Sequence, residues 1–502
     1  MPTDPTFSNL SRPRRFTWPA VPDSPIVPRL VLLVVLCTCC YLPLDILGRG
    51  YLPKDDALSH AAKAVSGKEW SEILVLAPRV VQDSHPGWHF LLRGLHLLTG
   101  WGVRPLVMAE VLCLFLCVTL VPLLFLRRPE VWLATLFVVY SCDPRHFYRL
   151  LLGRPLLFTM TVLLLLCFAW TYRSDLLRKR SWAMFLLVAM VLAAWLHGAW
   201  QLFLIPLCCC LAARAFRAAG FLALGLAVQT VGAALLSGNP LTFVGHVFTR
   251  TLHALGDFPL QRMLVDELQG VEGFPLVLGL VALVLVWQRP KPQNLLCDPV
   301  FVLLASCYVL AAYSVRFWID WGLPALACFL APRFEEAALR HQGDQAWSRL
   351  VTVACLAATL IVSVTSDVGG RWSEAETRDA LSSSKPSHAT WLPEPGGILY
   401  ASEAEVFFST FAANPHAPWR YALGIEATMM APEDFEVLKT IRLNRGSVQA
   451  HRPWAAKLRP EDRLVLLRPY GTPPALPELE WSYLARNTWV GRTPRGSANG
   501  GN

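Results

Sequence analysis

Asp55 and Asp56 are adjacent carboxylates a few residues beyond the first strongly apolar run of the chain, 27–47. Carboxylates are costly to keep beside apolar surroundings, so this placement needs a chemical reason. Read as a helix, the run that starts at Asp55 puts Asp56, His60 and Lys63 on one face. Ala57, Leu58, Ala61, Ala64 and Val65 fall on the other. That predicts an amphipathic helix lying on a membrane surface, with its acids at the N-terminal end. Capping alone would also account for them, since Asp55 suits an N-cap and Asp56 suits the first turn of the helix dipole. Further on, Asp83-Ser84-His85-Pro86-Gly87-Trp88-His89 brings an acid, two imidazoles and an aromatic ring to the same side, ahead of an apolar interfacial helix over 90–98. Carboxylates and imidazoles are the groups that exchange protons near neutral pH. By itself this second segment reads equally well as a structured turn.

The elements that must position these residues follow from composition. The chain has 502 residues, 54% hydrophobic and 16% charged, with a mean hydropathy of +0.41. Such values exclude an ordinary soluble domain and indicate an integral membrane protein. At roughly twenty apolar residues per crossing, about eleven spans are expected, near 27–47, 105–126, 130–143, 155–172, 181–197, 199–213, 219–237, 274–288, 298–315, 317–332 and 349–366. Arginine and lysine cluster on every second connection: Arg12, Arg14, Arg15 and Arg29; Arg127 and Arg128; Arg173 with Arg178, Lys179 and Arg180; Arg214 and Arg217; Arg289 and Lys291; Arg333 and Arg340. The positive-inside rule then makes the N-terminus cytoplasmic and puts 48–104, 143–154, 238–273 and the tail from 367 outside. Orientation thus accounts for the net charge of +9, with no nucleic acid partner. The Pro-rich residues 1–28 lack the apolar region of a cleavable signal, so the first span is read as an anchor. The fourteen cysteines, among them Cys37, Cys39 and Cys40 and the run Cys208 to Cys210, have neither zinc nor disulfide spacing and read as small buried hydrophobes.

Four parts result: an N-terminal tail over 1–28, a transmembrane domain over 29–366 with its first outer loop at 48–104, a linker over 367–395 rich in Ser, Glu, Lys and Pro, and a domain over 396–502. In the last part, short apolar runs such as 397–400 and the strand-like 463–467 alternate with helical stretches at 403–411 and 433–441. A small α/β domain is expected there, serving as a lid or assembly surface.

Taken together, the acid pair, the Gly67-Lys68-Glu69-Trp70 turn and the stretch His85-Pro86-Gly87-Trp88 resemble the first outer loop of GT-C membrane glycosyltransferases, in the branch of the protein mannosyltransferases and lipid A aminoarabinose transferases. Ser314-Val315-Arg316-Phe317 followed by Leu323-Pro324-Ala325-Leu326 is similar to the Arg-aromatic…Leu-Pro element of a late span in that family. The similarity of topology runs over roughly residues 30–335, and about fifty residues carry motif. Gly87 stands where the family pattern has a second Pro. Asp55 lies further from the span than usual, so Asp45 competes with it for the catalytic place.

The resemblance implies an all-α polytopic fold of GT-C type, with the α/β domain on the extracytoplasmic side. It also implies an inverting glycosyltransferase that moves a sugar from a polyprenyl-phosphate donor to a glycan, lipid or protein acceptor, in a bacterial inner membrane. Such a transfer has oxocarbenium character while the leaving phosphate gains charge. On this reading Asp55 is the general base, and Asp56 orients the acceptor or binds a divalent cation, magnesium or manganese, with His85 as a second ligand. His60, His85 and His89 line the substrate. Arg145, Arg154 and Arg316, with Arg149, are candidate phosphate clamps, because a guanidinium grips phosphate in bidentate fashion. Snorkelling at the head groups explains the 143–154 arginines as well. His197 is expected to be a helix-end histidine, the connection 238–273 a loop or lid, and Pro415-His416-Ala417-Pro418-Trp419-Arg420 a turn. A transporter or flippase of lipid-linked sugars would need a similar number of spans but should carry ionisable groups near the midplane. A non-catalytic assembly factor would tolerate loss of both aspartates.

Overall fold

In an apolar medium the backbone must satisfy its own hydrogen bonds, which makes helices of long apolar runs. In the computed structural model the first run is α1, Ile26–Gly48. Residues 26–78, 83–172, 179–198, 200–245, 277, 280, 281, 284, 295–341, 346–373 and 380–494 are described. There follow α2 (Asp56–Ser66), the single turn α3 (Trp70–Ile73), α4 (Pro86–Thr99), α5 (Val103–Leu120), α6 (Glu130–Cys142), α7 (Arg145–Leu150), α8 (Leu156–Tyr172) and α9 (Arg180–His197). Next come α10 (Leu204–Ala212), α11 (Phe216–Leu236), α12 (Pro299–Ala311), a π-helical turn Phe317–Gly322, α13 (Leu323–His341) and α14 (Ala346–Thr365).

Among the described residues, five helices are long and apolar enough to cross a membrane: Ile26–Gly48, Val103–Leu124, Arg180–His197, Phe216–Leu236 and Ala346–Thr365. The segments expected near 130–143, 155–172, 199–213 and 298–315 form apolar helices that are shorter. The span expected at 274–288 lies outside the described residues apart from isolated positions, as does most of the connection 238–273.

α6 holds its charged groups at its two ends. At its start, Arg349 donates to both oxygens of Glu130 at 2.8 and 3.1 Å, and nearby Glu335 accepts from the backbone N–H groups of Arg127 and Arg128 at 2.7 and 2.9 Å. At its other end Asp143 binds Arg145, and the indole N–H of Trp318 donates to Asp143 at 3.2 Å. Charges removed from water in this way persist only when paired and hydrogen-bonded. Glu110 departs from this pattern. It sits inside α5, one of the membrane-length helices. Its carboxyl faces the Trp88 indole without closing a hydrogen bond.

The C-terminal domain contains α15 (Pro386–Ala389), α16 (Ala404–Ala413), α17 (Pro432–Leu443) and α18 (Arg452–Lys457), with β1 (Ile398–Ala401), β2 (Arg420–Tyr421), β3 (Arg463–Leu467), β4 (Glu480–Ala485) and β5 (Thr488–Arg492). The expected strand at 463–467 is β3, and the expected helical stretches are α16 and α17. The sheet order is β2-β1-β3-β5-β4. β1 runs parallel to β2 and β3, while β5 pairs antiparallel with β3 and β4.

The sheet does not end at β2. Leu74, in the connection between α1 and α5, pairs in parallel with Tyr421, and Leu76 bridges Met430. The Val75 N–H donates to Tyr421 O at 2.9 Å and the Ala77 N–H to Met429 O at 2.8 Å. This connection thus covers a sheet edge that would otherwise be open to pairing. One apolar core runs from the membrane helices through Ile73 and Leu74 to Phe407, Phe411, Tyr421 and Val465.

This joining corrects the expectation for α2. Every residue from Ala57 to Val65 is buried, including His60 and Lys63, so the helix does not lie on the membrane surface with a wet face. Its amphipathic sequence is satisfied by protein on all sides, with α5, α4 and α16 packed against it. α4 behaves as the sequence predicts, with Phe90, Leu97 and Leu98 turned outward.

Candidate active site

Asp55 has extended backbone and caps α2, its side chain accepting from the Asp56 N–H at 2.7 Å. Capping is therefore one of its roles, and a second lies on the carboxylate's other flank. Arg154 precedes Pro155 at the entry to α8; its Nη2 donates to Asp55 Oδ1 at 2.5 Å, and its Nε lies 3.4 Å from Asp56 Oδ2. A single guanidinium thus bridges both acids at a positive helix end. The side chains of Asp55 and Arg154 are 14% and 16% exposed, which leaves the pair screened by protein but open to water at its rim. Behind it lies Tyr51, whose phenol is held protonated by burial and by the Asp55 carboxylate.

One turn further along α2, His60 enters a second network. His60 Nδ1 lies 2.7 Å from His89 Nε2, and His89 Nδ1 lies 2.5 Å from Asp83 Oδ2. Asp83 also accepts from the His85 backbone N–H at 3.0 Å, and Lys63 Nζ lies 3.9 Å away. Burial depresses the basicity of His60 well below that of a free imidazole, and the neighbouring His89 adds to the effect. For Asp83, burial acts upward but is outweighed by the charge and hydrogen bond of His89, with Lys63 beyond, so its carboxyl stays far below the usual carboxylate range. The result is a carboxylate–imidazole–imidazole line, its two rings buried, in which the carboxylate fixes the proton on His89 Nδ1 and the two rings share the next one.

Two glycines make this arrangement possible. A Cβ at Gly87 would meet the Trp195 ring at 2.5 Å, so α4 can approach α9 this closely only with glycine there. At Gly198 φ is +72°, and a Cβ there would run into the Ser84 carbonyl oxygen. His197, expected as a plain helix-end residue, is brought to 5.9 Å ring distance from His85 and accepts or donates at Thr159 Oγ1.

Other sequence candidates are placed as follows. His85 belongs with the imidazoles, 5.1 Å from the His60 ring. Arg145 grips Asp143 at 2.9 and 2.7 Å with its side chain 44% exposed. Arg149 is buried and bidentate on Asp320 at 2.7 and 2.9 Å, so its guanidinium ties α7 to the π-helical turn. Arg316 stands at the start of that turn, half-buried. Asp45 is engaged on its own helix by Arg49 at 2.9 Å and Tyr41 at 3.2 Å. Sequence reasoning missed Asp320 and Asp143 as anchors, although a lone acid in an apolar run is the usual sign of a partner. Among the described residues no group of three or more His, Cys, Asp or Glu is arranged to hold a metal ion. Beside Asp55 and Asp56 the place of a cation is taken by Arg154.

The chain matches no protein-family model, and no curated protein is found to be similar to it.

Proposed function

We propose that this protein is an inverting glycosyltransferase that moves a sugar from a polyprenyl-phosphate donor to an acceptor hydroxyl at the extracytoplasmic face of a bacterial inner membrane. On this reading the short apolar helices also cross, for about eleven spans in a GT-C-like arrangement, the N-terminus is cytoplasmic and the C-terminal domain is outside. The observation that carries the reading is the bridging of Asp55 and Asp56 by Arg154, from a part of the chain 99 residues away. Neither capping nor snorkelling requires that convergence.

The chemistry follows from the charges. The donor phosphate competes with the two aspartates for Arg154, and a guanidinium bound to phosphate leaves Asp55 free to act as a base. The acceptor oxygen then attacks the anomeric carbon from the face opposite the phosphate. As that bond forms, the bond from the anomeric carbon to the phosphate oxygen breaks, the acceptor proton passes to Asp55, and polyprenyl phosphate leaves with its electron pair, its charge held by Arg154. Asp56 keeps Arg154 oriented between the two tasks.

The test is transfer by full-length protein in liposomes with labelled polyprenyl-phosphate hexoses and pentoses and an envelope glycolipid extract as acceptor. Wild-type protein should release polyprenyl phosphate, and Asp55→Asn should insert normally yet lose about 100-fold or more in rate. Undiminished turnover by Asp55→Asn would remove Asp55 from the role. Movement of intact donor between leaflets without release would replace the transferase by a flippase.

A further inference from the structure

Arg154 is held from one side by Asp55 and Asp56, and the segment that delivers it is fixed from the other. Asp143, His146 and Arg149 stand at i, i+3 and i+6, a spacing that keeps them on one side of the segment that forms α7. Each meets the π-helical turn Phe317–Gly322. The Trp318 indole N–H donates to Asp143 Oδ2 at 3.2 Å, and Arg149 is bidentate on Asp320 at 2.7 and 2.9 Å. Between these two contacts the His146 ring donates to the Ile319 backbone carbonyl. Three consecutive residues of the turn thus hold three successive positions along the segment.

The side chains of Asp143, His146, Arg149, Trp318 and Asp320 are buried. Burial keeps the His146 imidazole neutral, its basicity lowered to about 4 against the opposing pull of Asp143 and the Ile319 carbonyl, so the ring keeps one N–H for that carbonyl. Ion pairs so placed add little stability over apolar packing of the same volume, and their best attested use is to fix register. π-helical turns are rare and concentrate at functional sites. Arg154 follows Arg149 by five residues. Leu150 and Leu151 between them are fully buried, and the Leu152 N–H closes on Arg149 O at 3.2 Å. At Gly153, where φ is +65°, a Cβ would meet Val111 of α5 at 3.1 Å and Ala57 of α2 at 3.3 Å, so the chain passes close against the helix that Asp55 caps. The connection from the turn to the guanidinium is therefore taut.

We propose that the π-helical turn positions Arg154: by clasping Asp143, His146 and Arg149 it sets where α7 sits, and with it where the guanidinium meets Asp55 and Asp56. His146 and Asp320 act through Arg154 and are positioning residues. The consequence for chemistry rests on the transferase reading, in which a displacement of Arg154 by about 1 Å loosens its hold on the leaving phosphate.

The test is a melting cycle on full-length protein in detergent, beside transfer in liposomes with the labelled donors. Arg154→Gln lowers the melting temperature by removing the bridge to the two acids. In the Arg149→Met/Asp320→Leu background, which keeps the packing but not the clasp, the same change should lower it by less than about half as much. His146→Leu, with the ion pair intact, should shrink that cost in the same direction. His146→Gln, whose amide can donate to the Ile319 carbonyl, should restore at least about half of it. A full melting cost of Arg154→Gln in both the Arg149→Met/Asp320→Leu and His146→Leu backgrounds would overturn the proposal, since Arg154 would then find its place without the turn. In liposomes Arg149→Met/Asp320→Leu should transfer at least about tenfold more slowly than wild type, a loss that its recovered stability does not explain. Undiminished transfer by this variant would likewise overturn the positioning role. A reduced melting cost in a protein that transfers no sugar even as wild type would sink the transferase reading and leave the positioning of Arg154 standing.

Discussion

Arg154 Nη2 donates to Asp55 Oδ1 at 2.5 Å while its Nε stays 3.4 Å from Asp56, so one cation serves two carboxylates that also begin a helix. Removing the cation leaves both acids close together and partly dehydrated. Arg154→Gln should therefore destabilise the fold by about 2–3 kcal/mol, while Arg154→Lys, which keeps the charge but not the fork, should recover stability and not transfer. Thermal unfolding in detergent beside the liposome assay separates the two. Full transfer by the lysine variant would mean that a point charge suffices and that the bridging geometry is incidental.

Arg149 was a candidate clamp, but the structure commits it to Asp320 inside the protein. Arg149→Met should cost about 3–5 kcal/mol by stranding a buried carboxylate, and Arg149→Met/Asp320→Leu should regain most of that. A double variant no more stable than the single one would show that the carboxylate has another essential partner.

The approach of α4 to α9 at Gly87 is set by the Trp195 ring. Gly87→Ala should destabilise by about 1–3 kcal/mol through overpacking, and adding Trp195→Leu should return at least half of the loss, since the two changes share one contact. Additive losses in that cycle would place the cost elsewhere.

The His60 imidazole is buried and neutral in the fold, with basicity well below its ordinary value of 6.5. Below that pH the unfolded chain takes up a proton that the folded chain does not, so stability falls as pH drops from about 6.5, by up to about 1.4 kcal/mol per pH unit from this group. The depressed carboxyl of Asp83 acts in the same direction at lower pH: its stabilisation is present above its ordinary value of 3.8 and fades as pH falls below it, because acid protonates this carboxyl in the unfolded chain while the folded one stays ionised. Melting temperatures from pH 7 to 5 should drop more steeply for wild-type protein than for His60→Asn. Parallel curves would show that His60 is already protonated in the fold.

Composition and periodicity were enough to read an apolar helical chain, the boundaries of its longest helices, helices and strands together in the C-terminal part, and the strand at 463–467. These are local properties: twenty apolar residues, or five alternating ones, constrain their own backbone wherever they sit. Asp55 as a helix cap was legible for the same reason, because the cap hydrogen bond closes within the helix it starts.

What the sequence left open was the identity of the partners. Arg145, Arg149 and Arg154 stood beside Arg316, the favoured clamp, until packing gave Arg145 to Asp143, Arg149 to Asp320 and Arg154 to the acid pair. The polar face of α2 looked destined for water until α4 and the C-terminal domain covered it, and residues 74–77 carried no strand pattern strong enough to announce their place at a sheet edge. Helix and strand propensity act over a few residues, whereas ion pairs and sheet edges are decided by which distant segments come within about 4 Å. The chain alone therefore determined its elements and the chemical types available, and the tertiary structure decided which charges meet.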